Sequence, residues 1–190
     1  MAHDLAKYMY EIGQMKRVQR SGWWLAGIAD PESVAEHSFR AAILGYILAS
    51  LEGADPMKTA MLCLFHDTHE ARINDLHRVA KRYIETGISE REAFSEQVER
   101  LPEKIAAEVA SFISAYEGKE SLESKVAHDS DLLECLIQAR EYQAQGYADV
   151  EDWIVNCQAG LKTASAQKLA KECLETEPRA WWQGLKKMKM

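Results

Sequence analysis

Almost throughout this chain, apolar residues return at every third or fourth position, and no run alternates between turn residues as a strand would. That period admits helices packed on helices and little else. The 10 glycines and 4 prolines fall mainly between the periodic segments, where they punctuate them. The spacing predicts a first helix over about 3–16, ending in the basic stretch KRVQRSGWW. Asp30-Pro31 followed by Ser33-Val-Ala-Glu36 has the spacing of a capping box and opens a second helix to about Leu51. Its expected apolar face carries Phe39, Ile43, Leu44, Ile47 and Leu48. Asp55-Pro56 opens a third, expected to stop near Asn74, a residue that tolerates a left-handed cap.

Further helices are expected at about 75–84, Ser89–Arg100, Pro102 to about Tyr116 with Gly118 as the breaker, 121–145 closed by Gly146, and about 149–173. A short Trp181-Trp182 segment follows Pro178, and the tail WWQGLKKMKM reads as a docked helix with a frayed basic end. There is no internal repeat, low-complexity tract or linker, so the expectation is one all-α domain over 1–190. At 190 residues, 47% hydrophobic and 28% charged, the chain is long enough to bury a core without dividing.

The net charge of -7 argues against a nucleic-acid polymer as partner. A small anionic substrate would need a local positive pocket or a metal ion. The first residues, MAHDLAKYMYEIGQMK, have no uninterrupted apolar core, and the reading is that they are not a signal peptide. No apolar run approaches bilayer length, so no membrane partner is expected. Cys63, Cys135, Cys157 and Cys173 are far apart and lack CxxC spacing. They read as reduced core thiols, which implies a cytoplasmic location.

Three separated places offer groups suited to a divalent cation: His37 in ESVAEHSFR, His66-Asp67 in CLFHDTHEAR, and Asp129 and Asp131 in AHDSDLLE. Imidazole nitrogen with carboxylate oxygen suits one divalent transition metal, Zn, Mn, Fe or Co, better than Ca or a thiolate-seeking metal. A lone helical histidine is more often a core or surface residue, so spacing alone leaves this suggestive.

Taken in order, KRxxRSGW, PESVAEHSFR, a helix ending HDxxEAxxxD, and DxDxxExxxQAxEY resemble the HD-domain metal-dependent phosphohydrolases, in their 5'-deoxynucleotidase branch. The resemblance covers about residues 5–145, with the C-terminal helices, 149–187, packed on that unit. It implies an HD-domain helical bundle in which His37, His66, Asp67 and Asp131 hold one metal. It implies that Glu70 and Asp75 are catalytic acids. Arg20 and Trp23 fall in the segment that contacts substrate phosphate and sugar, with Trp24 as the competing aromatic. The implied substrate is a nucleoside 5'-monophosphate, deoxy forms favoured, and the implied assembly is a homodimer.

On a continuous helix Glu70 is i+3 from Asp67 and i+4 from His66, hence on their face and near metal-activated water. Asp75 would donate to the leaving oxygen or orient a neighbour. Arg20 would clamp phosphate. A tryptophan beside the sugar would reward a 2'-methylene.

Plainer readings stand beside these. Glu36 reads as the cap partner of Ser33. His69 rivals His66 as a ligand. Glu134, one turn after Asp131, is either an outer partner or a helix-face charge. His3, His77 and His128 read as surface residues. Arg72 and Arg78 read as solvated or phosphate-neutralising, and Lys16 and Arg17 as complements to a helix C-terminus. Leu132, Leu133, Leu136 and Ile137 are core or subunit interface. The rival functions are phosphomonoester hydrolysis of another small metabolite, a non-catalytic nucleotide-binding module, and a purely structural helical domain.

Overall fold

The second helix begins where its capping signals require. In the computed structural model, which describes residues 4–186, the Ser33 hydroxyl accepts from the Glu36 amide and Glu36 Oε2 accepts from the Ser33 amide at 2.6 Å. This reciprocal cap satisfies two otherwise orphaned donors and starts α2 (Val34–Glu52), which Gly53 ends with a φ of 76°. Asp55 caps α3 (Pro56–Phe65) by accepting from the Lys58 amide, with Pro56 in the first turn where its missing N–H costs nothing.

The remaining helices among the described residues are α1 (Leu5–Ile12), α4 (Glu70–Ile73), α5 (Gly87–Val98), α6 (Glu103–Gly118), α7 (Leu122–Gln145), α8 (Glu151–Gly160) and α9 (Ala164–Glu175). No strand occurs among the described residues; Gln19 and Ser33 form one isolated antiparallel bridge. The all-α class read from the sequence is the observed one.

The long α7 is the central element. Its Leu133, Leu136 and Ala139 are fully buried against Leu44, Leu48 and Ala49 of α2, and against Ile154, Cys157, Ala166 and Ala170 of α8 and α9. A second core, Tyr8, Phe94, Val98, Leu101 and Val109, joins α1, α5 and α6. At the crossing of α2, α3 and α7 the buried residues are small: Ala41, Cys63 and Ala127, with Leu62. Gly45 completes that crossing, since a Cβ there would stand 2.7 Å from Cys63 Sγ and 3.4 Å from Thr59. The close approach brings the start of α2 beside the end of α3. Gly45→Ala should therefore lower stability by about 1–3 kcal/mol, readable as a lower denaturation midpoint.

Several expected boundaries are corrected. The first helix ends at Ile12 and continues as a 3-10 turn, Gly13–Lys16; His3 lies outside the described residues. The third does not run to Asn74 but stops at Phe65, with single-turn α4 resuming at Glu70. In between, successive i+3 bonds (Thr68 to Phe65, Glu70 to Asp67, Ala71 to Thr68) tighten the backbone. The segment 75–84 holds only a 3-10 turn at Ala80–Arg82, because Ser21 pins it by accepting from the His77 amide and donating its own amide to Asp75. Lys119, not Gly118, takes the left-handed position that ends α6.

The expected helix over 149–173 is two, α8 and α9. Asp129, well inside α7, accepts from the Lys162 and Thr163 amides and the Thr163 hydroxyl and so seats the start of α9. Trp181 and Trp182 are exposed in a 3-10 turn rather than docked, and the last four basic-tail residues lie outside the described residues. On α2, Leu44 and Leu48 are buried as expected, but Phe39, Ile43 and Ile47 face solvent.

Candidate metal centre

Backbone pairing places the first site residues. The Val34 amide donates to Val18 O and the Arg20 amide to Glu32 O, so the segment before Ser21 lies along the entry to α2. That register sets Arg20 over His37. Tightening of the chain after Phe65 delivers His66, Asp67 and Glu70, and α7 supplies Asp131 from the opposite wall.

The four expected ligands converge. His66 Nε2 lies 3.1 Å from Asp67 Oδ2 and 3.9 Å from Asp131 Oδ1; His37 Nε2 lies 3.2 Å from Asp131 Oδ1 and 3.9 Å from Asp67 Oδ2. Both imidazoles are held by their other nitrogens. His37 Nδ1 meets Glu134 Oε2 at 2.5 Å, and His66 Nδ1 meets the Cys63 carbonyl at 2.7 Å. With Nδ1 donating in each, both Nε2 lone pairs turn inward, the arrangement a metal ligand needs. The two buried Nε2 atoms have no hydrogen-bond partner. Each imidazole Nε2 stands three to four ångströms from both carboxylates, a set of two nitrogen and two oxygen donors that suits a small divalent cation.

The electrostatics agree. Burial raises Asp67 and Asp131, but the imidazoles and Arg20 outweigh it and hold both carboxylates below their usual range. Burial and Arg20 push His37 down, yet Glu134 and Asp131 prevail and raise it to about 10, so the anionic cage favours positive charge at His37 Nε2, a proton that a bound metal would displace. The cage therefore collects positive charge. Glu70 is buried with Oε2 unpartnered, and burial together with Asp67 and Asp75 raises it well above the usual carboxylate range. Arg20 NH1 lies 3.4 Å from Asp67 and NH2 4.0 Å from Asp131, with Cys135 Sγ 3.9 Å beneath. Asp75 Oδ2 accepts from the Ser21 amide at 2.6 Å. Asn74, just before it, has φ 62° and ψ 164°, a conformation non-glycine residues rarely take.

Trp23 is corrected. It is 1% exposed, stacked on Trp153 and edge-on to Tyr142, with Nε1 donating to Glu32, so it is a core residue rather than a substrate contact. Trp24 is half exposed and lines a cleft of about 370 Å³ with Ser21, Asn74, Asp75 and His77. Trp23→Ala should destabilise the fold by about 3–5 kcal/mol. Trp24→Ala should spare stability and raise KM; equal stability losses in the two would contradict this division.

The rivals also separate. His69 is half-buried at the start of α4 and makes none of the approaches to Asp67 and Asp131 that His66 makes, and Asp129 is occupied in seating α9. Glu36 is the cap partner it was expected to be. Arg72 pairs with Glu11 and Glu96, Arg78 is exposed, and His77 and His128 are half-buried rather than surface residues.

Three contributors escaped the sequence reading. Tyr116 donates to Asp131 Oδ2 at 3.3 Å and packs on His66. Arg40 binds Glu134. Glu32 stands beside His37 and Glu134, where burial and Glu134 push it up to about 7. The i+3 spacing of Arg40 from His37 was the available signal for Arg40.

A helical bundle carrying a paired His-Asp on one helix end, with a histidine and an aspartate from flanking helices, is the architecture of one known class. The chain belongs to the HD-domain family, whose profile matches residues 12–173. It is similar to the human protein named 5'-deoxynucleotidase HDDC2, at 30% identity over 145 residues, spanning 75% of this chain and 70% of the relative. The Vibrio parahaemolyticus 5'-deoxynucleotidase is 26% identical, over 73% of this chain and 76% of its own. Among solved structures, a conserved hypothetical protein from Pyrococcus furiosus superposes with a TM-score of 0.74 at 26% identity, covering 90% of this chain and 99% of its own.

Proposed function

We propose that this protein is a metal-dependent phosphohydrolase that removes the 5'-phosphate from nucleoside 5'-monophosphates, deoxy forms favoured, releasing nucleoside and phosphate. The observation that carries the reading is the convergence of His37, His66, Asp67 and Asp131 on one point, with Glu70 and Arg20 alongside. The relatives bearing the name 5'-deoxynucleotidase support the substrate class.

In this reading those four residues hold one divalent cation, Mn, Co, Zn or Fe. When bound it offsets phosphate charge and acidifies water. Glu70 accepts the proton of the attacking water as its oxygen bonds to phosphorus. Burial, Asp67 and Asp75 raise Glu70 and favour a proton on it, and positive charge beside Asp67 lowers it toward the ionised form that can take a proton from water. The P–O5' bond breaks, and the departing O5' takes up the proton that Glu70 received from the water. Arg20, already reaching Asp67 and Asp131, meets the phosphate oxygens in a forked contact. Asp75, tied to the Ser21 amide, and Trp24 flank the cleft and take the sugar.

The same reading treats the chain as one domain that works as a homodimer. The solvent-facing Phe39, Ile43, Tyr46 and Ile47 on α2 support a self-packing surface. Four free cysteines, and the absence among the described residues of any helix long and apolar enough to cross a membrane, are compatible with a cytoplasmic location.

The test is phosphate release from deoxy- and ribonucleoside monophosphates and from unrelated phosphomonoesters, each with Mn²⁺, Co²⁺ and Zn²⁺. The expected result is turnover of nucleotides with the deoxy forms ahead. Turnover of other phosphoesters and none of nucleotides would replace this substrate class.

A further inference from the structure

Behind the cage, on the side away from Asp67, lies a polar chain that the hydrolytic scheme does not use. Glu134 is fully buried, and its two oxygens serve different partners. Oε2 meets His37 Nδ1 at 2.5 Å, while Oε1 takes both Nε and NH2 of Arg40, at 2.9 and 2.8 Å. Arg40 is itself clamped, with NH2 donating to Gln138 at 2.7 Å and NH1 to Glu141 at 2.8 Å. Glu134, Gln138 and Glu141 stand at i, i+4 and i+7 on one face of α7, so the guanidinium lies flat along the helix opposite its own α2.

Geometry restricts what this arrangement can be for. A surface ion pair leaves its carboxylate free to rotate and is worth little. Here the carboxylate plane is fixed by a fork on one oxygen, which leaves only the other oxygen to face His37. His37 Nδ1 is bonded to Glu134 Oε2, with the Glu32 carboxylate near but not hydrogen-bonded to it, and its Nε2 is an unpartnered buried atom aimed into the cage. We infer that Arg40 is a positioning residue: through Glu134 it fixes the ring orientation and tautomer of His37, and so sets the affinity of the cage for its cation. Arg40 makes no contact with His66, Asp67 or Asp131 and does not line the cleft beside Trp24; it borders a neighbouring cleft of about 800 Å³.

The inference rests on the metal-site reading above, and its test measures metal rather than turnover. Purified protein would be stripped with chelator, checked for helical content, and titrated with Co²⁺ against a competing chelator while its visible absorption is recorded. Outer partners of a metal histidine typically contribute about 10- to 100-fold in affinity. Arg40→Met and Glu134→Gln should each weaken Co²⁺ binding within that range and alter the Co²⁺ spectrum. The double variant should bind no more weakly than Glu134→Gln alone, because both changes break one chain. Arg40→Lys keeps the charge but loses the fork and should fall between wild type and Arg40→Met; if Arg40→Met does not fold, this variant decides. Arg100→Met, which removes a half-buried arginine paired with Glu11 in the other core, should bind Co²⁺ as wild type does.

Wild-type affinity in the Arg40 variants, additive losses in the double variant, or an equal loss in Arg100→Met would each overturn the inference. Undiminished Co²⁺ binding in His66→Ala would instead overturn the metal site itself, so the two failures are distinguishable.

Discussion

His66→Ala should weaken metal binding by more than ~100-fold, beyond the range typical of losing an outer partner, and abolish phosphate release with it. His66 Nε2 is buried, unpartnered and 3.1 Å from Asp67, with its orientation fixed by the Cys63 carbonyl. Alanine removes a donor that nothing nearby replaces. His69, three residues on, is half-buried at the start of α4 and makes none of the approaches to Asp67 and Asp131 that His66 makes. His69→Ala should keep metal affinity and turnover within a few-fold of wild type. Equilibrium dialysis followed by metal analysis reads the contrast directly. Equal losses in the two variants would mean that the histidine assigned to the cage is the wrong one.

Glu70→Gln should lower kcat by about 10²- to 10⁴-fold while leaving bound metal in place. The amide keeps the size of the carboxylate but cannot accept a proton. Glu70 is not among the four residues proposed as ligands, yet its buried carboxylate lies close enough to Asp67 to be raised by it. Loss of rate with retained metal separates a proton acceptor from a ligand. Metal lost in parallel with rate would make Glu70 a fifth ligand and leave the water without an assigned base.

The starts of the helices were legible because their signals are local. Ser33 and Glu36 lie three residues apart and need only each other, as Asp55 needs only the Lys58 amide and Pro56. The four cage residues were legible through their resemblance to a family, since no local rule links His37 to Asp131 across 94 residues. What escaped was imposed by tertiary contact. Nothing in Phe65–His69 forbids a helix, but His66 Nδ1 and the Thr68 hydroxyl bond the Cys63 and Phe65 carbonyls and compete with the helical ladder. The tightened turn that results, rather than a continuous helix face, sets Glu70 beside Asp67.

Asp129 has the composition of a ligand and the proximity in sequence, but its oxygens are committed to amides 33 and 34 residues away. Gly160 followed by Thr163 was the local signal for that break, although the Thr163 hydroxyl donates to Asp129 rather than capping α9. Trp23 and Trp24 cannot be told apart by composition. The left-handed Gly27 that closes their 3-10 turn leaves the first stacked on Trp153 and the second facing the cleft.

The central claim is that one cation, held by His37, His66, Asp67 and Asp131, is required for phosphate release. The direct measurement is metal content and turnover on the same untagged sample, stripped with chelator and then titrated with Mn²⁺ or Co²⁺. A deoxynucleoside monophosphate serves as substrate. The account predicts that turnover rises in step with bound metal and saturates at one ion per chain, and that His66→Ala shows neither. Full turnover in the stripped protein, or saturation that survives His66→Ala, would contradict it.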